Sequence, residues 1–127
     1  MADELKGKSI LIVDDDEEIL RSLEATLSET GASIDTARDG NAGLEKALNG
    51  RPNLLILDLM MPKRSGFLVL ESLMKGKPKE ELPKVIVITG NPGSRHRVYA
   101  QSLGAAVYLQ KPFRMDRLLE AAIELLT

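Results

Sequence analysis

Apolar residues along this chain follow two alternating patterns. Short runs rich in β-branched and aliphatic residues read as buried strands. They are Ser9 to Val13, Ser33 to Ala37, Asn53 to Leu57, Lys84 to Ile88 and Ala106 to Leu109. Longer segments with helical spacing lie between them. Glu17 to Thr30 places Ile19, Leu20, Leu23 and Leu27 on one face, with Gly31 as its stop signal. Asn41 to Asn49 is a shorter helix that Gly50 is expected to end. Phe67 to Lys75 and Arg114 to Leu126 carry clear apolar stripes, whereas Ser94 to Leu103 has only a thin one. The stretch Lys75 to Lys84 is charged, contains Pro78 and Pro83, and reads as a solvated loop.

Strands alternating with helices predict an α/β domain with a parallel sheet, because each helix returns the chain to start the next strand in the same direction. Right-handed crossovers place helices on both faces, giving a doubly wound sheet. No repeat, linker or low-complexity tract interrupts residues 1–127, so one domain is expected.

Candidate chemistry sits where the strands end. The first runs into Asp14-Asp15-Asp16, the third into Asp58, the fourth into Thr89-Gly90 and the fifth into Lys111-Pro112-Phe113. Ligands of open parallel sheets bind beyond the carboxyl ends of the strands, where strand order reverses. Asp14, Asp15, Asp58, Thr89 and Lys111 are therefore expected in one pocket. Three carboxylates there repel one another unless a cation neutralises them. Oxygen ligands favour a hard ion such as Mg²⁺ (or Mn²⁺). With Lys111 that ion brings the charge to zero, and the site can then accept a phosphoryl group. A carboxylate can attack phosphorus to give an acyl phosphate. A metal and a lysine would steady the equatorial oxygens, and Thr89 could donate a hydrogen bond to one of them.

Each residue alone has a plainer explanation. Asp16 reads as a helix N-cap, with Glu17 and Glu18 favouring the positive end of the helix dipole. A single lysine is most often on the surface, and a single threonine most often just ends a strand. The joint placement carries the signal. His96 reads as a solvated histidine among arginines.

Composition narrows the function further. The chain has 127 residues, with 43% hydrophobic and 28% charged, typical of a globular domain. Its net charge of −2 argues against nucleic-acid binding. Absence of cysteine excludes disulfides and thiolate chemistry, and a single histidine excludes a multi-histidine metal site. No apolar run approaches the ~20 residues that span a bilayer, and Met1-Ala2-Asp3-Glu4-Leu5 lacks a signal-peptide pattern. No membrane association and a cytoplasmic location are expected.

The sequence resembles the receiver domains of two-component response regulators. The matching stretches are Ile10-Leu11-Ile12-Val13-Asp14-Asp15-Asp16, Leu57-Asp58-Leu59-Met60-Met61-Pro62 with Gly66, Val87-Ile88-Thr89-Gly90, Leu103-Gly104-Ala105 and Lys111-Pro112-Phe113. The resemblance implies a flavodoxin-like (βα)5 fold with strand order 2-1-3-4-5. It makes Asp58 the phosphoacceptor, served by a histidine kinase or phosphotransfer protein. Asp14 and Asp15 would position Mg²⁺ with Asp58 and the backbone carbonyl of Met60. Lys111 would contact the phosphoryl group, across a cis bond to Pro112. Thr89 and Tyr108 match the pair that couples phosphorylation to shape, and the responding surface is helix four, strand five and helix five, including Tyr99, Tyr108, Arg114 and Arg117. Met60 and Asn91, two residues beyond Asp58 and Thr89, occupy positions that tune phosphoryl lifetime, and apolar Met60 is expected to lengthen it. The turn formers Gly90-Asn91-Pro92-Gly93 suggest a mobile loop.

Other functions fit less well. An aspartate-based phosphohydrolase usually has a second Asp where Met60 stands. A nucleotide or flavin binder would carry a glycine-rich phosphate loop, which is missing. A phosphorylation-independent interaction module of the same fold would be expected to have lost Asp58, Lys111 or one of the acid pair. The expected protein is therefore a signalling phosphoacceptor rather than an enzyme acting on a separate substrate. Ending at Leu125-Leu126-Thr127, it reads as a stand-alone regulator or a receiver excised from a longer chain whose effector lies elsewhere; a homodimer on phosphorylation is a further expectation.

Overall fold

The computed structural model describes residues 3–61, 63–90 and 93–127. Its elements are β1 (Ser9–Val13), α1 (Glu17–Ser28), β2 (Ser33–Ala37), α2 (Gly40–Gly50), β3 (Leu54–Asp58), α3 (Gly66–Met74), β4 (Lys84–Thr89), α4 (Ser94–Ser102), β5 (Val107–Gln110) and α5 (Met115–Leu126). The strands form one parallel sheet in the order β2-β1-β3-β4-β5. This is the flavodoxin-like arrangement that the resemblance to receiver domains implies.

The period of two along the strands divides the core. Leu11, Val13, Leu55, Leu57, Val85 and Val87 face α2, α3 and α4, meeting Ala47, Val69, Leu70, Leu73 and Ala100. Ile10, Ile12, Leu54, Ile56, Ile86 and Ile88 face the other way, toward Leu20, Leu23 and Leu27 of α1 and Leu118 and Ala122 of α5. With both faces covered, the central strands need no polar alternation, which explains their unbroken apolar runs.

Helix boundaries follow local chemistry. Asp16 caps α1 as expected, its Oδ1 accepting from the N–H groups of Glu18 (2.9 Å) and Ile19 (3.3 Å). Asp39 caps α2 by accepting from Ala42 N–H at 2.9 Å, and Ser65 caps α3. Three details depart from the sequence reading. Gly50 stays inside α2, and Arg51 takes the left-handed turn instead, at φ 45° and ψ 60°. The Lys75 to Lys84 connection is not wholly irregular: it holds a single 3₁₀ turn over Lys79–Glu81. α1 stops at Ser28, with Glu29 and Thr30 already in the turn that follows. α4 forms over its thin stripe and buries only Ala100.

Candidate functional site

Strand register brings the polar strand ends together. Val13 pairs with Leu57, so Asp14 and Asp58 are the neighbouring residues that follow that pair. Asp58 pairs with Ile88, and Thr89 lies just beyond. Lys111 N–H donates to the Thr89 carbonyl at 2.8 Å, which fixes the start of the β5–α5 turn against the end of β4. The Lys111–Pro112 peptide bond is cis.

Asp14, Asp58 and Thr89 are buried, while Asp15 is exposed. Asp14, Asp15 and Asp58 each offer a carboxylate oxygen within 4.8 Å of the other two. Lys111 Nζ lies 2.8 Å from Asp14 Oδ2 and 3.2 Å from Asp58 Oδ2. Local backbone groups orient both buried acids: Asp14 Oδ1 accepts from Asp16 N–H at 2.9 Å, and Asp58 Oδ1 accepts from Met60 N–H at 3.1 Å. The approach of Lys111 to Asp14 Oδ2 is off the hydrogen-bond direction, so this oxygen is buried with no hydrogen bond.

Burial, followed by the nearby Asp14 carboxylate, pushes the Asp58 carboxyl up to about 6 from 3.8, against the opposing effects of Met60 N–H and Lys111. Burial alone would lower the Lys111 ammonium, but Asp14 and Asp58 outweigh it and raise it. Among the described residues, Lys111 is the cation paired with Asp14 and Asp58, and Asp15 adds a third carboxylate alongside. That deficit of positive charge, the all-oxygen donor set and the buried Asp14 Oδ2, whose ion pair with Lys111 lacks hydrogen-bond geometry, all fit a hard divalent ion.

The family model of the response regulator receiver domain matches residues 10–123. This chain belongs to that family. The transcriptional regulatory protein DltR of Streptococcus agalactiae is 40% identical over 110 residues, covering 87% of this chain and 48% of DltR. Response regulator MprA of a Mycobacterium species is 38% identical over 110 residues, covering 87% of this chain and 46% of MprA. The receiver thus spans about half the length of the curated relatives it matches. Among solved structures, a CheY-like receiver domain protein from Methanospirillum hungatei superposes with a TM-score of 0.86 at 35% identity, covering 94% of this chain and 93% of the other. The BeF3-activated receiver domain of DrrB gives 0.79 at 27% identity, with 94% and 97% covered. No helix among the described residues is long and apolar enough to cross a membrane.

The other sequence-predicted residues of this receiver are more dispersed. Met60 follows the site directly, with its side chain exposed. Asn91 and Pro92 fall outside the described residues, so the expected loop before α4 is described only at Gly90 and Gly93. Tyr108, on β5, is partly buried against the α2–α3–α4 side of the core, with the Arg97 guanidinium 5.5 Å from its ring centre. Burial raises its hydroxyl pKa despite that guanidinium.

His96 is not the solvated residue expected. It is half-buried in the α3–α4 seam, with its ring 5.4 Å from that of Phe67. Phe67 also meets the Tyr99 ring at 5.3 Å, and the Tyr99 hydroxyl donates to Glu71. The apolar stripe of α3 included Phe67, but nothing local marked its partners on α4. Sequence reasoning also gave no role to Gly40 and Asn41, which contact the loop after Asp58.

Proposed function

We propose that this receiver accepts a phosphoryl group on Asp58 from a histidine kinase or phosphotransfer protein, in a reaction that requires Mg²⁺ or Mn²⁺. The observation that carries this reading is the buried Asp58 carboxylate, held among two further acids and Lys111 at the carboxyl end of the central strand. In the transfer, a carboxylate oxygen of Asp58 attacks phosphorus, the phosphorus–nitrogen bond of the donor phosphohistidine breaks, and the imidazole leaves with that bond's electrons. Met60 N–H and Lys111 Nζ orient the Asp58 carboxylate before attack. Lys111 then pairs with the phosphoryl oxygens, and the Thr89 hydroxyl donates to one of them. Asp14, Asp15, Asp58 and the Met60 carbonyl would hold the divalent ion, which when bound supplies charge neutralisation of the phosphoryl oxygens.

The added dianion then biases a two-state element. Thr89 is drawn toward the phosphoryl group, Tyr108 turns inward, and the face formed by α4, β5 and α5 changes, with Tyr99, Tyr108, Arg114 and Arg117 presented to an output partner or a second copy. That DrrB's receiver is described as activated by BeF3 supports the same chemistry here. The test is intact mass after incubation with a small acyl phosphate, with and without Mg²⁺, for wild type and Asp58→Ala. The chain has no tryptophan, so a mass readout replaces indole fluorescence. One phosphoryl group is expected on wild type only, and only with the metal. An equal gain on folded Asp58→Ala would overturn the assignment.

A further inference from the structure

The backbone between β3 and α3 carries Met60 directly beside Asp58, and it is held from two sides. At its base, Gly66 N–H donates to the Leu59 carbonyl at 2.9 Å. A Cβ on Gly66 would stand 2.4 Å from the Asp58 carbonyl oxygen, so only glycine allows this closure. On its flank the loop rests against the first turn of α2. A Cβ on Gly40 would lie 1.9 Å from the Arg64 carbonyl oxygen and 2.7 Å from Arg64 Cβ, where ordinary contact begins at 3.4 Å. Beside this bare backbone contact, Arg64 Nε donates to Asn41 Oδ1 at 2.9 Å. Further out, Lys63 Nζ lies 3.6 Å from Asp39 Oδ2, the carboxylate whose other oxygen caps α2.

These contacts do not serve the hydrophobic core. Arg64 and Asn41 are polar residues near the surface, and the close approach is backbone to backbone. Their common effect is on the path of the loop. Gly66 closes the loop at Leu59, so Arg64 and Met60 lie within one closed segment, and a shift at Arg64 bears on the Met60 backbone.

We propose that Gly40 and Asn41 are positioning residues for the acidic site: the first turn of α2 holds the loop at Arg64, and this hold keeps the Met60 backbone in place against Asp58. The proposal rests on the reading of Asp58 as phosphoacceptor and of the acid cluster as a metal site. Neither residue touches the reacting atoms.

The experiment compares wild type with Gly40→Ala, Asn41→Ala and, as a core control on the opposite face of the sheet, Leu27→Ala. Mg²⁺ affinity is measured by calorimetry at a temperature where every variant is folded. Phosphoryl incorporation from a small acyl phosphate is followed by intact mass at subsaturating Mg²⁺. Gly40→Ala is expected to weaken Mg²⁺ binding roughly tenfold and Asn41→Ala roughly threefold, with phosphorylation slowed in parallel. Leu27→Ala is expected to lower the unfolding temperature at unchanged Mg²⁺ affinity. Should Gly40→Ala fail to fold, Asn41→Ala and its Mg²⁺ affinity decide the matter. Wild-type affinity and rate in the folded α2 variants would overturn the proposal. A wild type that binds no Mg²⁺ would overturn the functional reading, and the positioning role with it, whatever the variants do.

Discussion

Asp14 and Asp58, both buried, converge on the single ammonium of Lys111, at 2.8 Å and 3.2 Å. One cation serves two enclosed carboxylates, with the exposed Asp15 alongside. The arrangement is electrostatically incomplete, and the shortage of positive charge links pH, metal binding and stability. A site of this kind stores repulsion that a bound cation relieves, so its energetics should respond to each charge separately.

Asp58 gives the pH dependence. Its folded value of about 6 lies above the ordinary 3.8, so between about pH 4 and pH 6 the folded state binds more protons than the unfolded one. Stability therefore falls as pH rises through that window and levels off above it. The full effect is on the order of 1–3 kcal/mol. Asp58→Asn should remove the slope and be more stable than wild type by about that amount at pH 7.5 with a chelator present. Denaturant unfolding across the pH range checks this. A variant less stable than wild type would contradict it.

Lys111 should show the opposite sign. Replacing it by Ala leaves the buried Asp14 and Asp58 with their backbone N–H donors but no cationic partner among the described residues, a change expected to cost roughly 3 kcal/mol in metal-free protein. Mg²⁺ should restore more stability to Lys111→Ala than to wild type, because it then meets carboxylates that no ammonium neutralises. Thermal unfolding over a Mg²⁺ titration measures both quantities. An equal Mg²⁺ effect in the two proteins would mean that Lys111 does not compete for the same charge.

Most of the fold and the acidic site could be read from the sequence because their causes are local or periodic. The run Leu54-Leu55-Ile56-Leu57 is buried on both faces, and Asp58 ends it where parallel strands present their ligands. Asp16 announced its cap by type and position. What could not be read depends on residues distant in sequence. The His96–Phe67 contact joins two helices whose packing no local period encodes. The Arg97–Tyr108 contact depends on how α4 lies over β5. The fit of Gly40 to Arg64 requires the crossing of α2 with the loop after β3. Arg51 was missed for a different reason: glycine is preferred in the left-handed turn at a helix end, and the reading followed that preference one residue too early.

That misplaced turn offers a stabilising substitution. Arg51 holds φ 45° and ψ 60°, a region that costs a side chain with a Cβ about 1 kcal/mol. It is exposed, and its backbone N–H bonds to Ala47 O at 3.1 Å, a bond glycine can also make. Arg51→Gly should raise stability by roughly 0.5–1 kcal/mol, less the added freedom of the unfolded chain, with no change in phosphorylation. Denaturant midpoints at constant slope would show it, and a loss of stability would mean that the Arg51 side chain makes a contribution larger than the strain.

Met60 tests the lifetime of the phosphoryl group. Its N–H holds Asp58 Oδ1 at 3.1 Å, while its side chain is 56% exposed. The backbone role is independent of side-chain identity, so substitution should leave stability within about 0.5 kcal/mol. The thioether is a poor hydrogen-bond partner and cannot hold a water in line for attack on phosphorus. An asparagine at this exposed position adds a donor and an acceptor without disturbing the Asp58 contact. Met60→Asn is therefore expected to shorten the acyl-phosphate lifetime by roughly an order of magnitude. Intact mass against time, after removal of the acyl-phosphate donor, measures the decay. The same substitution should leave the rate of phosphoryl uptake within about twofold, because in the proposed transfer uptake rests on the Asp58 carboxylate and Lys111 rather than on an oriented water. A decay unchanged from wild type would mean that access of water to the site, and not its orientation by residue 60, sets the lifetime.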